Sequence, residues 1–211
     1  MGVNPVNSVI PVIPPRVAVA HRGTGVSTLS PFVRADGSAP ARWQTGVELS
    51  WDETHLHVRF HCSDDDAWGS FTERDSPLWQ QEVVEVFLVA GDAVPTHYFE
   101  FEISPAGTLF DARVATPRGD RLGLTVDAEW NCRGIECGAE PTGESADWRA
   151  HLTIPWRGLE LPSAPPTLRA NFYRIERPRP GDPEFSCWSP TFTSPADFHR
   201  PGRFGVLDLI R

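Results

Sequence analysis

Proline and glycine occur so often along this chain that little of it can be helical. The 211 residues include 21 prolines and 17 glycines. Proline removes a backbone donor and clashes with the preceding helical turn, and glycine costs about 1 kcal/mol in a helix interior. No window of a dozen residues keeps an apolar stripe at the helical period. The sequence therefore predicts an all-β protein.

Alternation of apolar and polar residues marks individual strands. Over residues 55–62, apolar side chains at even numbers alternate with polar ones at odd numbers, as expected for a strand with one solvated face. The turn Asp52-Glu53-Thr54 separates this segment from a second alternating set at 47–51, which predicts a hairpin. Further strands are expected at 83–89, 97–104, 148–155, 168–176 and 204–210. Short strands separated by turn residues favour an antiparallel two-sheet β-sandwich.

Length and hydropathy indicate one soluble domain. A chain of 211 residues, 40% of them hydrophobic, suffices for one core. We expect residues 16–211 to form that domain and the proline-rich residues 1–15 to form an irregular arm. No run approaches the roughly 18 apolar residues of a membrane-spanning helix, so no membrane partner is expected. Because the arm lacks the basic start of a secretory signal, we expect the cytoplasm, or secretion if a signal has been removed.

Charge and aromatic content separate two classes of partner. A net charge of −9 with 19 basic residues argues against nucleic acid, because binding to phosphates needs concentrated Lys and Arg. Eight tryptophans are a high count for this length. Indole faces stack well on the C–H faces of sugar rings and on other apolar ligands. Some of these tryptophans are therefore expected to be exposed for binding.

Six segments, in order along the chain, carry a resemblance to a known family. They are LSWDETHLHVRF with the following SDDD, SPLWQQEVVEVFL, HYFEFEISPAGTLFD, WRAHLTIPWRGL, LRANFYRIE and CWSPTFTSPADFHRPGRFGVLDL. In this order they resemble the family 9 carbohydrate-binding modules, β-sandwiches related in fold to DOMON domains, over most of residues 45–210. The resemblance implies a non-catalytic groove in which two aromatic rings clamp a mono- or oligosaccharide, including a chain end.

The same resemblance indicates which residues form that groove. Family members carry a tryptophan six residues before a glutamate in a W-x5-E-V-F segment, and Trp79 and Glu85 hold those positions. Trp188 is the candidate for the opposing ring. Polar contacts to the sugar are expected from Asn171, Arg174 and Glu102. A tryptophan covers the C–H face of a pyranose, while ionised groups make charge-assisted hydrogen bonds to its hydroxyls.

Each of these residues also has a structural interpretation. Glu85 interrupts an apolar run, and burial without partners would cost several kcal/mol, so it either faces a polar groove or pairs with a buried arginine. Trp79 is either a ligand-stacking ring or a rim tryptophan packed on its own loop. Trp188 is equally compatible with a place in the core.

Cofactors are expected to be absent, with structural calcium as the alternative. Asp64, Asp65 and Asp66 form an oxygen-rich cluster of the type that binds Ca²⁺, and structural calcium occurs in relatives of the family. The four cysteines lack the spacing of a zinc site. Haem binding, as in DOMON domains, is disfavoured because Met1 is the sole methionine for an axial Met/His pair.

Two further functions remain as alternatives to a sugar-binding module. Glu100 and Glu102 raise the question of glycoside hydrolysis, but positions i and i+2 of one strand do not place two carboxyls across a cleft. No GxSxG, P-loop or GxGxxG motif is present, so the chain is not expected to be an enzyme. The other alternative is a β-sandwich whose degenerate groove and tryptophans contact protein.

Overall fold

Two β-sheets account for most of the regular structure. The computed structural model describes residues 13–29, 31–143 and 146–211. The strands in these ranges are β1 (Arg16–Ala20), β2 (Ser27–Leu29), β3 (Val33–Arg34), β4 (Thr45–Trp51), β5 (His55–Cys62), β6 (Val83–Ala90), β7 (His97–Ile103), β8 (Leu109–Ala115), β9 (Thr125–Asp127), β10 (Glu136–Pro141), β11 (Trp148–Pro155), β12 (Thr167–Glu176), β13 (Glu184–Cys187) and β14 (Gly205–Ile210). Three short 3₁₀ helices lie at Leu78–Gln80, Trp156–Leu159 and Pro201–Arg203. The predicted all-β class is confirmed.

The strands form a larger and a smaller sheet. The larger sheet has the order β1-β14-β12-β6-β7-β8-β9, with β13 pairing β12 and β3 pairing β13. The smaller sheet has the order β10-β11-β5-β4-β2. All pairs among the described strands are antiparallel except β1 with β14. The prediction of an antiparallel two-sheet sandwich is therefore confirmed, apart from this one parallel pair at the sheet edge.

The strands predicted from alternation lie within two residues of their expected bounds. Strand β5 covers the predicted residues 55–62, and the turn Asp52-Glu53-Thr54 joins it to β4, with Trp51 opposite Leu56. The short strands β2, β3, β9 and β13 were not predicted, because two to four residues carry too little alternation to be recognised. Three longer strands, β1, β8 and β10, were not predicted either.

Apolar side chains from both sheets form the core between them. Val84, Val86 and Leu88 of β6 belong to one buried cluster that includes residues of β5 and β12. The rings of Phe60 on β5 and Phe172 on β12 meet with centroids 6.2 Å apart. Because successive strand residues point to opposite faces, the odd-numbered residues of β6 lie on the other face of the larger sheet.

That outer face is covered by loops and a second apolar cluster. Phe87 of β6, Tyr98 of β7 and Tyr173 of β12 pack there against Phe198 and Phe204, which come from the long segment that leads into β14. Phe198 stacks on Tyr173 with ring centroids 4.3 Å apart. The covering is incomplete, and the gap in it forms the pocket described below.

The N-terminal arm lies largely outside the described residues. Of the predicted residues 1–15, the structure describes only the last three, where the Pro15 carbonyl accepts a hydrogen bond from Val206 at 2.9 Å. The division into arm and domain therefore stays a prediction. Among the described residues, no helix is long and apolar enough to cross a membrane.

Candidate functional site

A pocket of about 540 Å³ opens on the outer face of the larger sheet. Its floor comes from β6 and β7, and its walls come from the loops around Trp79, Arg121 and residues 196–199. The pocket is lined by Trp79, Glu85, Phe87, Glu100, Glu102, Phe110, Arg121, Val126, Ala128, Ile175, Arg177, Phe185, Ala196, Phe198 and His199. It thus contains Trp79, Glu85 and Glu102, three of the six predicted site residues.

Three glutamates converge on the pocket floor. Glu85 of β6 lies directly opposite Glu102 of β7, and Glu100 is two residues earlier on the same face of β7. Each offers a carboxylate oxygen, and these oxygens all lie within 4.8 Å of one another. All three are buried: Glu85 is 2% exposed, Glu102 is 1% exposed and Glu100 is 5% exposed. Like charges directly opposite one another destabilise a sheet, so this arrangement needs protons or a ligand to balance it.

Burial and mutual repulsion keep protons on this cluster. Burial, reinforced by Glu100, raises the pKa of Glu85 well above its ordinary value, and Arg121 only partly opposes the shift. Burial also raises the pKa of Glu102, with Glu85 and Glu100 adding to the effect. Burial raises the pKa of Glu100 to about 7, although a hydrogen bond with Glu102 lowers it. Glu100 therefore changes between donor and acceptor forms near neutral pH.

The carboxyl oxygens have unused capacity for hydrogen bonds. Apart from the proton that the two carboxyls share, Glu100 Oε2 and Glu102 Oε2 receive no hydrogen bond from the described residues. A buried acceptor without a donor costs free energy comparable to a lost hydrogen bond. A ligand that donates to these oxygens would remove that cost.

Trp79 forms one wall of the pocket. Trp79 is the middle residue of the 3₁₀ helix Leu78–Gln80, and the fully buried Leu78 anchors this turn. The Trp79 indole stands edge-on to Phe110, with centroids 5.4 Å apart and planes at 79°. Trp79 is nevertheless 43% exposed. Its ring is therefore held in place while part of it faces solvent, as a stacking platform requires.

Phenylalanines lie on the other side of the floor. Phe185, on the far side, belongs to β13 and lies opposite Ile175 of β12. Phe110, on the side of Trp79, belongs to β8. The order β13-β12-β6-β7-β8 places these strands four intervals apart, or about 19 Å at about 4.8 Å per interval. Phe185 meets Phe198 edge-on with centroids 6.0 Å apart. Aromatic rings thus border both sides of the carboxylate cluster.

A neutral histidine closes the end of the pocket. His199 Nδ1 lies 2.6 Å from the hydroxyl of Tyr98, and its ring stacks on Phe87 at 5.3 Å. Burial, then the charge of Arg121, lowers the pKa of His199 to about 4. The imidazole is therefore uncharged at neutral pH and can donate or accept one hydrogen bond.

Two arginines contribute positive charge at the rim. Arg121 Nε binds Asp197 Oδ1 at 2.7 Å, and its side chain is 61% exposed. Arg177 donates to the Trp79 carbonyl at 3.0 Å, which ties the tryptophan turn to the end of β12. Guanidinium groups in such positions can meet the oxygens of a bound ligand.

The structure places Trp188, predicted as the opposing ring, in the core and outside the pocket. Trp188 is 9% exposed and belongs to the core between the two sheets. It packs edge-on against Phe172, with centroids 5.9 Å apart, and a Cβ placed on Gly205 would lie 2.4 Å from its ring. The ring is wedged against the backbone of β14 and does not line the pocket.

Asn171 and Arg174, predicted as polar contacts, are also outside the pocket. Asn171 is fully buried and holds the chain at Ser189, donating to its carbonyl at 2.8 Å and accepting from its N–H at 3.0 Å. Arg174 shares the inward face of β12 with Phe172 and binds buried Asp64 at 2.7 Å. Both residues therefore have structural partners within the domain.

The three aspartates of the calcium prediction point to different partners. Asp64 accepts from Arg174 and, at 3.1 Å, from the Trp148 indole. Asp65 meets the Trp43 indole at 3.2 Å, and Asp66 makes a bidentate pair with Arg179. The structure therefore does not bring the three together as ligands of one ion.

Asp64 instead lies beside two other buried acids, Glu82 and Glu176. Arg174 already bonds both Asp64 and Glu176. A cation in this second cluster would have to compete with a buried guanidinium. The donor set therefore suits an internal ion-pair network better than a metal site.

Several residues that line the pocket were not predicted from the sequence to do so. They are Glu100, Phe110, Arg121, Arg177, Phe185 and His199. The signal for Glu100 was available, because it shares the outer face of β7 with Tyr98 and Glu102. Arg121 lies in the loop between β8 and β9, where no periodicity predicts the direction of a side chain.

Comparison with known proteins gives three findings. The family model described as carbohydrate-binding family 9 matches residues 42–209. A protein of Arthroderma benhamiae (strain ATCC MYA-4681 / CBS 112371), named extracellular protein, is 25% identical over 176 residues, which is 79% of each chain. A candidate carbohydrate-binding protein from Bacteroides uniformis ATCC 8492 has the same fold, with a TM-score of 0.76 and 16% identity over 93% of this chain and 99% of that one.

Two further solved structures share the fold. Both are carbohydrate-binding modules of family 9 from Caldicellulosiruptor kristjanssonii, one in complex with cellotriose and one with glucose. The cellotriose complex has a TM-score of 0.59 and 14% identity, covering 92% of this chain and 93% of that chain. The glucose complex has a TM-score of 0.59 and 13% identity, covering 92% and 95%.

Proposed function

Because the chain belongs to carbohydrate-binding family 9, whose model matches residues 42–209, we propose that the pocket on the outer face of the larger sheet binds a saccharide without altering it. The observation that carries this proposal is the pairing of a half-exposed indole, Trp79, with the buried carboxyls of Glu85 and Glu102 in one pocket. A pyranose presents an apolar C–H face for the ring and hydroxyl donors for the carboxyls.

The proposed clamp differs from the two-tryptophan arrangement expected from sequence. Trp79 supplies the stacking face, and the phenylalanines Phe185 and Phe198 line the far side of the floor, where no tryptophan of the described residues lies. Arg121 and Arg177 supply guanidinium groups at the rim in place of Arg174. The proposal thus keeps the chemistry of stacking plus charged hydrogen bonds but assigns it to other residues.

The size of the pocket supports a small saccharide or the end of a longer one. Small-molecule pockets typically measure about 300–1,000 Å³, and this pocket, at about 540 Å³, falls in that range. Relatives of the same fold are in complex with glucose and cellotriose. These two sugars are therefore the first ligands to test.

The geometry favours binding over hydrolysis. Glycosidases place an acid and a nucleophile or base on either side of the scissile bond. Here Glu85, Glu100 and Glu102 share one sheet face at the bottom of the pocket, and their oxygens lie together. A sugar resting on this floor meets all three carboxyls from the same side.

Calorimetric titration with glucose and cellotriose tests the proposal. We expect Trp79→Ala to weaken binding about tenfold or more, because a stacked ring and its buried area are lost together. Phe192→Ala is the matched control, because Phe192 is also 43% exposed but lies outside the pocket. The proposal is wrong if the parent binds and Trp79→Ala binds equally well, or if the parent binds neither these sugars nor any member of a glycan panel.

A further inference from the structure

The pocket floor contains more acidic groups than recognition of hydroxyls requires. Glu85, Glu100 and Glu102 are each at least nine-tenths buried, and their oxygens lie within 4.8 Å of one another. Three converging carboxyls repel one another when ionised, and a small cation among them would favour their ionised forms. The floor therefore has the donor set of a site for positive charge.

No protein cation is bonded to this cluster in the described structure. Arg121 is the cation whose charge opposes the pKa shifts of Glu85 and Glu100, but its guanidinium is already bonded to Asp197 at 2.7 Å. His199 is neutral at pH 7 because burial lowers its pKa to about 4. Arg177 is bonded to the Trp79 carbonyl. A ligand can therefore supply the missing positive charge.

The walls favour an organic cation over a bare metal ion. Trp79, Phe110, Phe185 and Phe198 line the space above the carboxyls. A hydrated metal gains little from aromatic faces, and Ca²⁺ seeks six to eight oxygen ligands, whereas three carboxyls supply at most six. A sugar that carries an amine uses the rings and the carboxyls together.

We infer that the pocket prefers an amino sugar, a hexose with a free ammonium group, whose charge lies among the carboxyls of Glu85, Glu100 and Glu102 while its ring stacks on Trp79. This inference rests on the proposed function and deepens it, because it names the substrate class of the same site. Glu100 Oε2 and Glu102 Oε2, which lack donors from the described residues other than their shared proton, are the acceptors for the ammonium.

Protonation links this preference to pH. An ammonium group favours the ionised carboxyls, so binding displaces protons from the cluster into solvent. The preference for the amino sugar over a neutral sugar therefore grows as pH rises from about 5 towards about 7, the pKa that burial gives Glu100. The other charged or titratable groups facing the cluster are Tyr98, Arg121, Tyr173, Arg177, Asp197 and His199.

The test compares D-glucosamine with D-glucose and N-acetyl-D-glucosamine, which have the same ring but no charge. Titration calorimetry on the full chain at pH 5 and pH 7, in two buffers of different ionisation enthalpy, measures affinity and proton release together. We expect glucosamine to bind about tenfold more tightly than either neutral sugar at pH 7, with proton release, and the ratio to fall at pH 5.

Substitution of one carboxyl tests the location. Glu102→Gln keeps the shape of the side chain but cannot ionise, so the ratio of glucosamine affinity to glucose affinity should fall to about threefold or less, whatever the absolute affinities. Glu136→Gln is the control, because Glu136 is exposed on β10 of the smaller sheet and should leave the preference unchanged. If Glu102→Gln does not fold, the pH and buffer arms on the parent protein still decide the question.

The outcomes separate the two proposals. Glucose binding that depends on Trp79, with no preference for glucosamine at pH 7, overturns the amino-sugar inference and leaves the proposed function intact. Proton release on adding CaCl₂ alone, with no preference for glucosamine, assigns the floor to a metal and also overturns it. Failure of every sugar to bind removes both proposals.

Discussion

The replacement Trp188→Ala separates a core tryptophan from a ligand-binding one. Trp188 is 9% exposed, packs on Phe172 and lies against the backbone of Gly205. A tryptophan side chain presents roughly 250 Å², so roughly 230 Å² is buried, worth about 6 kcal/mol at about 25 cal/mol per Å² as an upper bound. Because alanine keeps Cβ and the site partly collapses, we expect a loss of about 3–5 kcal/mol in the free energy of unfolding.

Thermal and urea unfolding of parent and variant measure this loss. For a domain of this size each kcal/mol shifts Tm by about 2–4 °C, so the Tm should fall by roughly 6–20 °C. Sugar affinity at a temperature where the variant is folded should be unchanged. A variant with parental stability and lost sugar binding would refute the assignment of Trp188 to the core and restore it to the binding site.

Four further changes have defined outcomes. Gly205→Ala should cost about 1–3 kcal/mol in urea unfolding, because its Cβ would lie 2.4 Å from the Trp188 ring; parental stability would contradict the close packing. Arg174→Met should cost about 3–5 kcal/mol, because its two buried carboxylate partners lose their cation, and an unchanged urea midpoint would show that the network carries no charge. Burial raises the pKa of Glu100 to about 7, so its protonated form stabilises the fold at low pH and this contribution is lost as pH rises from about 4.5 to about 7. Glu100→Gln should flatten that trend in urea unfolding at a series of pH values, and an identical pH profile would contradict it. His199 has the opposite sign: burial lowers its pKa to about 4, so its contribution is lost as pH falls from about 6.5 to about 4, and His199→Gln should remove that part of the profile.

The fold could be predicted because alternation is a local property. Strands β5, β7 and β11 each carry five or more residues whose apolar members recur every second position, and the structure places them where that pattern predicts. The parallel pairing of β1 with β14 joins segments 190 residues apart and leaves no local pattern in either strand. Long-range pairing of that kind follows from the assembled core and not from the strand itself.

The residues of the candidate site could be predicted where a family segment or a break in a local pattern marked them, as for Trp79 and Glu85. Glu85 interrupts an apolar run, which predicted either a polar groove or a buried arginine partner, and the structure places it on the pocket floor. Arg174 could have been rejected as a pocket residue, because it has the parity of Ala170 and Phe172, which face the core. Trp188 follows no alternation, and a tryptophan in a loop can fill a core or line a groove with equal chemical reason.

Nuclear magnetic resonance of the tryptophan indoles tests the central claim most directly, namely that the saccharide stacks on Trp79 over the buried glutamates. The indole N–H signals are assigned by single Trp→Phe replacements and followed during titration with glucose, cellotriose and glucosamine. We predict a large, saturable shift of the Trp79 signal and little change for Trp188, which is buried on the other face of the sheet. A shift at Trp188 with none at Trp79, or binding that moves neither signal, would contradict the account.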